Sequence, residues 1–282
     1  MNPEGSHMRC LTLNNGVSIP QIGLGVWPLT DEQAYTAVSH ALITGYRHID
    51  TARIYNNEAG VGRAVRDAGV RRQDIFLTTK LWNADQGHEA ALRAFDSSLQ
   101  RLGTDYVDLY LIHWPVPEQD LYIESYKTLE RIHADGGARA IGVSNFTAAT
   151  LDRLLAKTDI VPALNQIELH PYFPQDRMRE VCTERAITTG AWSPLAQGGA
   201  LLTEQTLARI AETHGKTPAQ VVIRWHLQLG NVVIPRSITP TRIEENFRVF
   251  DFDLSPEELS DITALDNGGR IGPDPDTVSY QG

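Results

Sequence analysis

Short apolar runs rich in β-forming residues recur along the chain, and nearly every one is followed by a longer stretch with helical periodicity. Eight such runs can be read: "IGLGV", "YRHID", "IFLTTK", "VDLYLIH", "AIGVS", "ALNQIE", "ITTGAW" and "VVIP". Strand–helix alternation sustained over a whole chain implies parallel pairing, because each strand has to return to the same end of the sheet through a crossover. Eight units in a chain of 282 residues point to a closed (β/α)8 TIM barrel. The rival is an open doubly wound sheet, which would carry a G-x-G-x-x-G loop directly between a strand and a helix. The nearest strings are "GLGVWP" at Gly23, which runs into Pro28, and "GVGRAV" at Gly60, which lies within an expected helix. Neither stands in that context, so a dinucleotide, if bound, is not held in that way.

Local signals agree with the barrel. An opening β-hairpin is expected from Leu11 to Ile19, turning at Asn14-Asn15-Gly16. Helices are expected over 31–44, 86–102 and 121–135. Thr30 with Gln33, Thr217 with Gln220 and Ser255 with Glu258 fit capping boxes, and Pro218 and Pro256 stand at first helical positions. Gly45 and Gly103 are placed to end helices.

Composition narrows the function classes. A net charge of −10 repels phosphate backbones and makes nucleic acid a poor partner. No apolar run approaches the roughly 18 residues of a membrane span. Cys10 and Cys182 are the only cysteines. Neither a disulfide framework nor a zinc site is expected, and a reducing, cytoplasmic setting is. Gly5-Ser6-His7-Met8 reads as an expression remnant. Residues 1–8 are therefore set aside, and 9–282 are taken as a single barrel domain.

The last residues of the expected strands carry the chemistry. They are Asp50, Lys80, His113, Ser144 with Asn145, Gln166 with Glu168, and Trp192 with Ser193. In a parallel barrel these ends share one rim, where such folds keep their active sites. A carboxylate buried there alone is costly, so Asp50 calls for a cation, and Lys80 on the next strand can supply it. The ammonium can then sit against the hydroxyl of Tyr55, five residues after Asp50. A free tyrosine has a pKa of roughly 10, and a nearby cation lowers it, which makes the phenol a usable proton donor. His113 could orient a carbonyl oxygen. Trp27, Trp82, Trp114 and Trp192 fall near the same rim and could line an apolar pocket. Each group alone has a structural explanation; their coincidence at the tops of successive strands favours chemistry. Glu168, His170 and His113 could in principle bind a metal, but no H-x-x-x-H spacing supports one, and none is expected.

A second cluster, "VVIPRSITPTRIEENF", follows the last strand. Thr239 can cap a short helix that has Pro240 at its first position, with Arg236, Ser237 and Arg242 beside it. Cations at a helix N-terminus after the last barrel strands suit a phosphate, and arginine binds phosphate bidentately. The alternative is a surface helix cap with exposed arginines.

"GYRHIDTARIYNNEAGVG", "TTKLWN", "VDLYLIHWP", "IGVSNF", "NQIELHP" and "IPRSITPTRIEENFRVFDF" resemble, in order and over nearly the whole chain, the signature segments of the aldo-keto reductase family. Within it the chain is most similar to the bacterial 2,5-diketo-D-gluconate reductases. The resemblance implies a metal-free, usually monomeric barrel that reduces small carbonyl compounds with NADPH. It implies a catalytic tetrad of Asp50, Tyr55, Lys80 and His113. Ser144, Asn145 and Gln166 would hold the nicotinamide carboxamide, Trp192 would stack on the ring, and Ser193, Leu195 and Gln197 would follow the pyrophosphate. Arg236, Ser237 and Arg242 would take the 2′-phosphate, with Glu245 and Asn246 at the adenine. Trp27, Trp82 and Trp114 would line the substrate site. Two positions depart from the family pattern: Arg236 stands where lysine is more common, and Asn56 where glycine is usual. Asparagine tolerates positive φ, so the turn can persist. The acidic, proline-rich tail from Asn267 is expected to lie over the barrel mouth. Two other classes fit parts of the pattern: a nicotinamide-sensing barrel without turnover, and an unrelated barrel lyase or isomerase that uses the arginine cluster for a phosphorylated substrate.

Overall fold

A computed structural model describes residues 9–279; the expected expression remnant at 1–8 lies outside them. The chain opens with β1 (Cys10–Thr12) and β2 (Ser18–Pro20), paired antiparallel. The turn between them is closed by Leu13 N–H to the Val17 carbonyl and Gly16 N–H to the Leu13 carbonyl, both 2.9 Å. There follow β3 (Leu24–Gly25), α1 (Asp31–Thr44), β4 (His48–Asp50), α2 (Glu58–Asp67), β5 (Phe76–Leu81), α3 (His88–Leu102) and β6 (Val107–Ile112). The central part comprises α4 (Tyr122–Ala134), β7 (Ala138–Ser144), α5 (Ala148–Leu155), β8 (Leu164–Glu168), α6 (Asp176–Glu184) and β9 (Thr188–Trp192). The last part comprises α7 (Gln205–His214), α8 (Pro218–Gln228), β10 (Val232–Ile234), α9 (Pro240–Phe247) and α10 (Pro256–Thr263).

Strands β3 to β10 form an eight-stranded sheet in sequence order, with every neighbouring pair parallel. The two edge strands meet. Val233 N–H donates to the Gln21 carbonyl at 2.8 Å, Gly23 N–H to Val233 at 2.9 Å and Gly25 N–H to Pro235 at 3.0 Å. That closes the barrel. The first strand, Leu24–Gly25, is shorter than "IGLGV", and the seam beside it leaves no room for side chains: a Cβ on Gly23 would lie 2.8 Å from the His48 ring, and one on Gly25 3.0 Å from Ile234 Cγ2. The hairpin covers the opposite end of the barrel. Its Leu13 and Ile19 pack with Phe76, Leu109, Leu164 and Val232, which lie in the first halves of their strands. Among the described residues no helix is long and apolar enough to cross a membrane.

The three expected helices form over 31–44, 88–102 and 122–134. All three expected capping boxes form. Thr239 is a correction. It occupies the N-cap position of α9, but its side chain makes no cap bond. The Ser237 hydroxyl instead accepts from Thr239 N–H at 3.1 Å, so the turn is held one step upstream of the helix.

The "GVGRAV" glycines serve helix packing. They lie within α2, where a Cβ on Gly60 would stand 2.0 Å from the Asp31 carbonyl oxygen and one on Gly62 2.3 Å from that of Leu102. Alanine normally stabilises a helix interior relative to glycine. Here Gly62→Ala has to push α2 from backbone that cannot yield, and should cost about 1–3 kcal/mol as overpacked sites do. Urea unfolding would measure this, and a neutral or stabilising result would show that α2 and α3 can separate freely.

Candidate active site

Strand order brings Asp50, at the end of β4, beside Lys80 of β5. Lys80 Nζ donates to Asp50 Oδ1 at 2.5 Å and to the Thr51 carbonyl at 2.9 Å, with the lysine side chain fully buried. The second carboxylate oxygen accepts from Gln166 Nε2 of β8, 2.7 Å away on the far side of the barrel mouth. Burial by itself would push the Lys80 ammonium down, but the Asp50 carboxylate and the Tyr55 hydroxyl outweigh it and hold the pKa above the ordinary lysine value.

Tyr55 ends a 3-10 turn, Arg53–Tyr55, that is closed by Asn56 at φ +54. The turn therefore survives without glycine. Lys80 Nζ lies 5.3 Å from the centre of the Tyr55 ring. Asn57 braces this loop. It is fully buried, its Oδ1 accepts from Thr51 Oγ1 at 2.8 Å, and its Nδ2 donates to the carbonyls of Val26 and Leu29 at 3.0 and 2.9 Å. Sequence reading passed over Asn57, although a second asparagine directly after the turn was the available signal.

His113 follows β6, and its ring sits 5.7 Å from that of Tyr55, edge to face. Its Nδ1 is buried without a hydrogen-bond partner. Burial, and after it the Lys80 charge, hold the imidazole well below its usual pKa, so the ring is neutral at pH 7. Trp82 lies 5.3 Å from His113, and the Trp114 ring runs nearly parallel to it at 6.5 Å. Trp82, Trp114, Val116 and Val278 form one buried apolar cluster, with Ile54 and Trp192 against it. Trp27 is 56% exposed and stands outside that cluster. Val116 and Val278 were not foreseen: neither belongs to a strand end, and only the folded tail brings Val278 here.

Trp192 Nε1 donates to Asn145 Oδ1 at 2.7 Å. Asn145 Nδ2 donates in turn to the His113 carbonyl at 2.9 Å and to Ser144 Oγ at 3.1 Å, and Ser144 Oγ donates to the Gln166 carbonyl at 2.8 Å. The indole plane is thus set by the strand ends beside it. After β9 the chain runs through Ser193, Ala196 and Gln197 at φ +48, +47 and +59, with half-buried Leu195 between them. Beyond β10, Arg236 and Arg242 are exposed, while Ser237 and Asn246 are buried and Glu245 is exposed. Glu168 and His170 are joined, Nε2 to Oε1 at 3.0 Å. Among the described residues no group of three or more His, Cys, Asp or Glu side chains gathers as a metal site.

The sequence profile of the Aldo/keto reductase family matches residues 21–267. The chain belongs to this family. An aldo-keto reductase of Mycolicibacterium smegmatis is 56% identical over 96% of this chain and 98% of its own length. Methylglyoxal reductase DkgA of Escherichia coli is 49% identical over 94% of this chain and 96% of its own. Among solved structures, a mutant of Gox0644 in complex with NADPH superposes with a TM-score of 0.93 at 44% identity, covering 97% of this chain and all of that one. This aldo-keto reductase thus shares with its relatives both sequence and the closed parallel barrel.

Burial of histidine has a measurable consequence. Besides His113, burial lowers His48 to about 4 and His226 to about 3. An unfolded histidine titrates near about 6.5. Below that pH the unfolded chain takes up protons that the folded one refuses, so stability is present at neutral pH and is lost as pH falls. Each such histidine contributes about 1.4 kcal/mol per pH unit. His113→Gln should therefore flatten the fall in urea-derived stability between about pH 6.5 and 5 by about that amount per unit. An unchanged slope would mean that His113 is charged in the folded state.

Proposed function

We propose that this aldo-keto reductase reduces aldehydes, ketones and dicarbonyls to alcohols with NADPH, and that Tyr55 delivers the proton. The observation that carries the reading is the buried Lys80 ammonium, bonded to Asp50 at 2.5 Å and set over the Tyr55 ring. A cation held there stabilises phenolate, so Tyr55 can release its proton to a carbonyl oxygen as negative charge builds on it. Asp50 keeps Lys80 charged, and Gln166 keeps Asp50 in place. His113, neutral and with Nδ1 turned into the protein, has Nε2 left to donate to the same oxygen and orient it.

The residues around this centre suit NADPH. Bound, it supplies the hydride that adds to the carbonyl carbon. Trp192, locked by Asn145, offers a flat face to the nicotinamide. Gln166 spends its amide N–H on Asp50, so its oxygen remains to accept from the carboxamide, alongside Ser144 and Asn145. Ser193, Leu195 and Gln197 line the path of the pyrophosphate. Arg236 and Arg242 are exposed on either side of the start of α9, with buried Ser237 between them in sequence, and they bind the 2′-phosphate. Glu245 and Asn246 flank the adenine. On the substrate side Trp82 and Trp114 form the wall, and exposed Trp27 closes over the substrate from the first loop. Methylglyoxal and keto-sugars such as 2,5-diketo-D-gluconate are the small dicarbonyls to assay first. The free cysteines, one exposed and one buried, suit the cytoplasm, and the protein is taken to act as a monomer.

Tyr55→Phe removes the hydroxyl that carries the transferable proton and keeps the ring. Turnover, followed by nicotinamide absorbance, should fall by about 10²–10⁴-fold, while the NADPH Kd measured by tryptophan fluorescence stays within about twofold. Loss of cofactor binding would assign Tyr55 a different role. Replacing Arg236 and Arg242 together by serine should weaken NADPH about 10–100-fold and NADH little, because only NADPH carries the 2′-phosphate. Equal losses for both cofactors would contradict the phosphate assignment.

A further inference from the structure

The tail beyond α10 is fastened along the loop after β8. Asn267 and Gly269 N–H groups donate to the Tyr172 carbonyl at 3.3 and 3.0 Å, and the Arg270 guanidinium lies 4.5 Å from the centre of the Phe173 ring. The next two amides go to one carboxylate: Ile271 N–H to Glu168 Oε1 at 2.6 Å and Gly272 N–H to Glu168 Oε2 at 2.8 Å. Glu168 is the last residue of β8, is 1% exposed, and also takes the His170 ring nitrogen at 3.0 Å. Burial would raise its pKa, but these bonds outweigh it and keep the carboxyl below the usual range. Farther along, Thr147 Oγ1 donates to Asp276 Oδ1 at 3.2 Å, and Val278 packs onto Trp82, Trp114 and Val116.

Two features single out the Glu168 contact among these. It is part-buried and joins two backbone amides to one carboxylate, whereas the Asp276 carboxylate takes a single, exposed bond from Thr147, and hydrogen bonds to an ionised acceptor are stronger away from water. It also sets position closely. A Cβ on Gly272 would stand 2.4 Å from Trp192 Cη2 and 2.8 Å from Glu168 Oε2, so only glycine lets the backbone reach both groups. Glu168 and Trp192 are register partners across β8 and β9. The tail is therefore seated against the rigid barrel wall beside the indole, and the seven residues from Gly272 to Val278 span from that point to the apolar cluster.

We propose that Glu168 is a positioning residue for substrate selection: by holding the Ile271 and Gly272 amides it keeps Val278 as the fourth side of the Trp82–Trp114–Val116 wall, and so favours carbonyl compounds that carry an aromatic ring over small dicarbonyls. A ring buries apolar area against that wall, while a three-carbon dicarbonyl has little to bury. The selectivity half of this inference rests on the reductase reading above; the anchoring half does not.

The test uses the full chain with Glu168→Gln, which keeps the shape and offers an N–H where one tail amide needs an acceptor. Hydrogen exchange of the peptide covering 268–279 should quicken by about tenfold or more, with barrel peptides unchanged. The KM for benzaldehyde should rise about three- to tenfold, while kcat, the KM for methylglyoxal and the NADPH Kd stay within about twofold. In a double variant with Val278→Ala the two KM effects should not add, because both act through one contact. Should Glu168→Gln fail to fold, Gly272→Ala displaces the tail and leaves the carboxylate in place, and the same exchange and KM changes are expected. Unchanged tail exchange would overturn the proposal. So would KM values that rise equally for both aldehydes, or KM effects of Glu168→Gln and Val278→Ala that simply add. If the unmodified protein reduces neither aldehyde, the reductase reading and the selectivity fail together, and the exchange measurement still decides whether Glu168 anchors the tail.

Discussion

The contact between Lys80 and Asp50 is the interaction on which the site and much of the barrel mouth depend. An ammonium with no solvent exposure is tolerable only beside a carboxylate whose other oxygen is also bonded. Gln166 supplies that bond from across the barrel, so β4, β5 and β8 are tied through one carboxylate. The same arrangement leaves a fixed cation at the Tyr55 ring, and that cation adds to burial, the larger cause, in lowering the pKa of His113. Stability and reactivity cannot be separated here, because the charge that would perform the chemistry is the one the fold had to neutralise.

Around this centre the rim is built from strained backbone on a rigid support. Asn56, Val116, Asn145, Ser193, Ala196 and Gln197 all have positive φ, and all follow barrel strands. Non-glycine residues rarely adopt this conformation, and a β-branched one such as Val116 less still. The strands below are paired on both sides, and that pairing lets the loops carry the cost while they aim side chains. The tail adds a further layer. It brings an apolar side chain from the far end of the chain to Trp82 and Trp114, and its amides meet the carboxylate at the end of β8.

Much of this was legible beforehand because it is local. The hairpin turn, the capping boxes at Thr30, Thr217 and Ser255, and the stops at Gly45 and Gly103 each depend on a few adjacent residues. The shared rim was legible too, since parallel alternation places every strand end on one side. Contacts between distant segments were less so. Thr239 had the right identity for a cap, yet Ser237 holds the turn, a choice made by how the loop leaves β10. Gly60 and Gly62 read as a failed nucleotide motif, and only helix packing showed what they are for. Trp27 shared the rim in sequence, but it stays exposed, apart from the buried tryptophan cluster.

The sequence by itself determined the alternation, the count of strands, and the set of polar residues at their ends, because periodicity and caps are properties of neighbours along the chain. Tertiary structure decided which of those residues touch. Barrel closure set the reach of Gln166 to Asp50, the edge-to-face approach of Tyr55 and His113, and the seating of Gly272 between Glu168 and Trp192. Such contacts join segments far apart in sequence, and their distances follow from strand tilt and side-chain packing, which no short stretch of residues encodes.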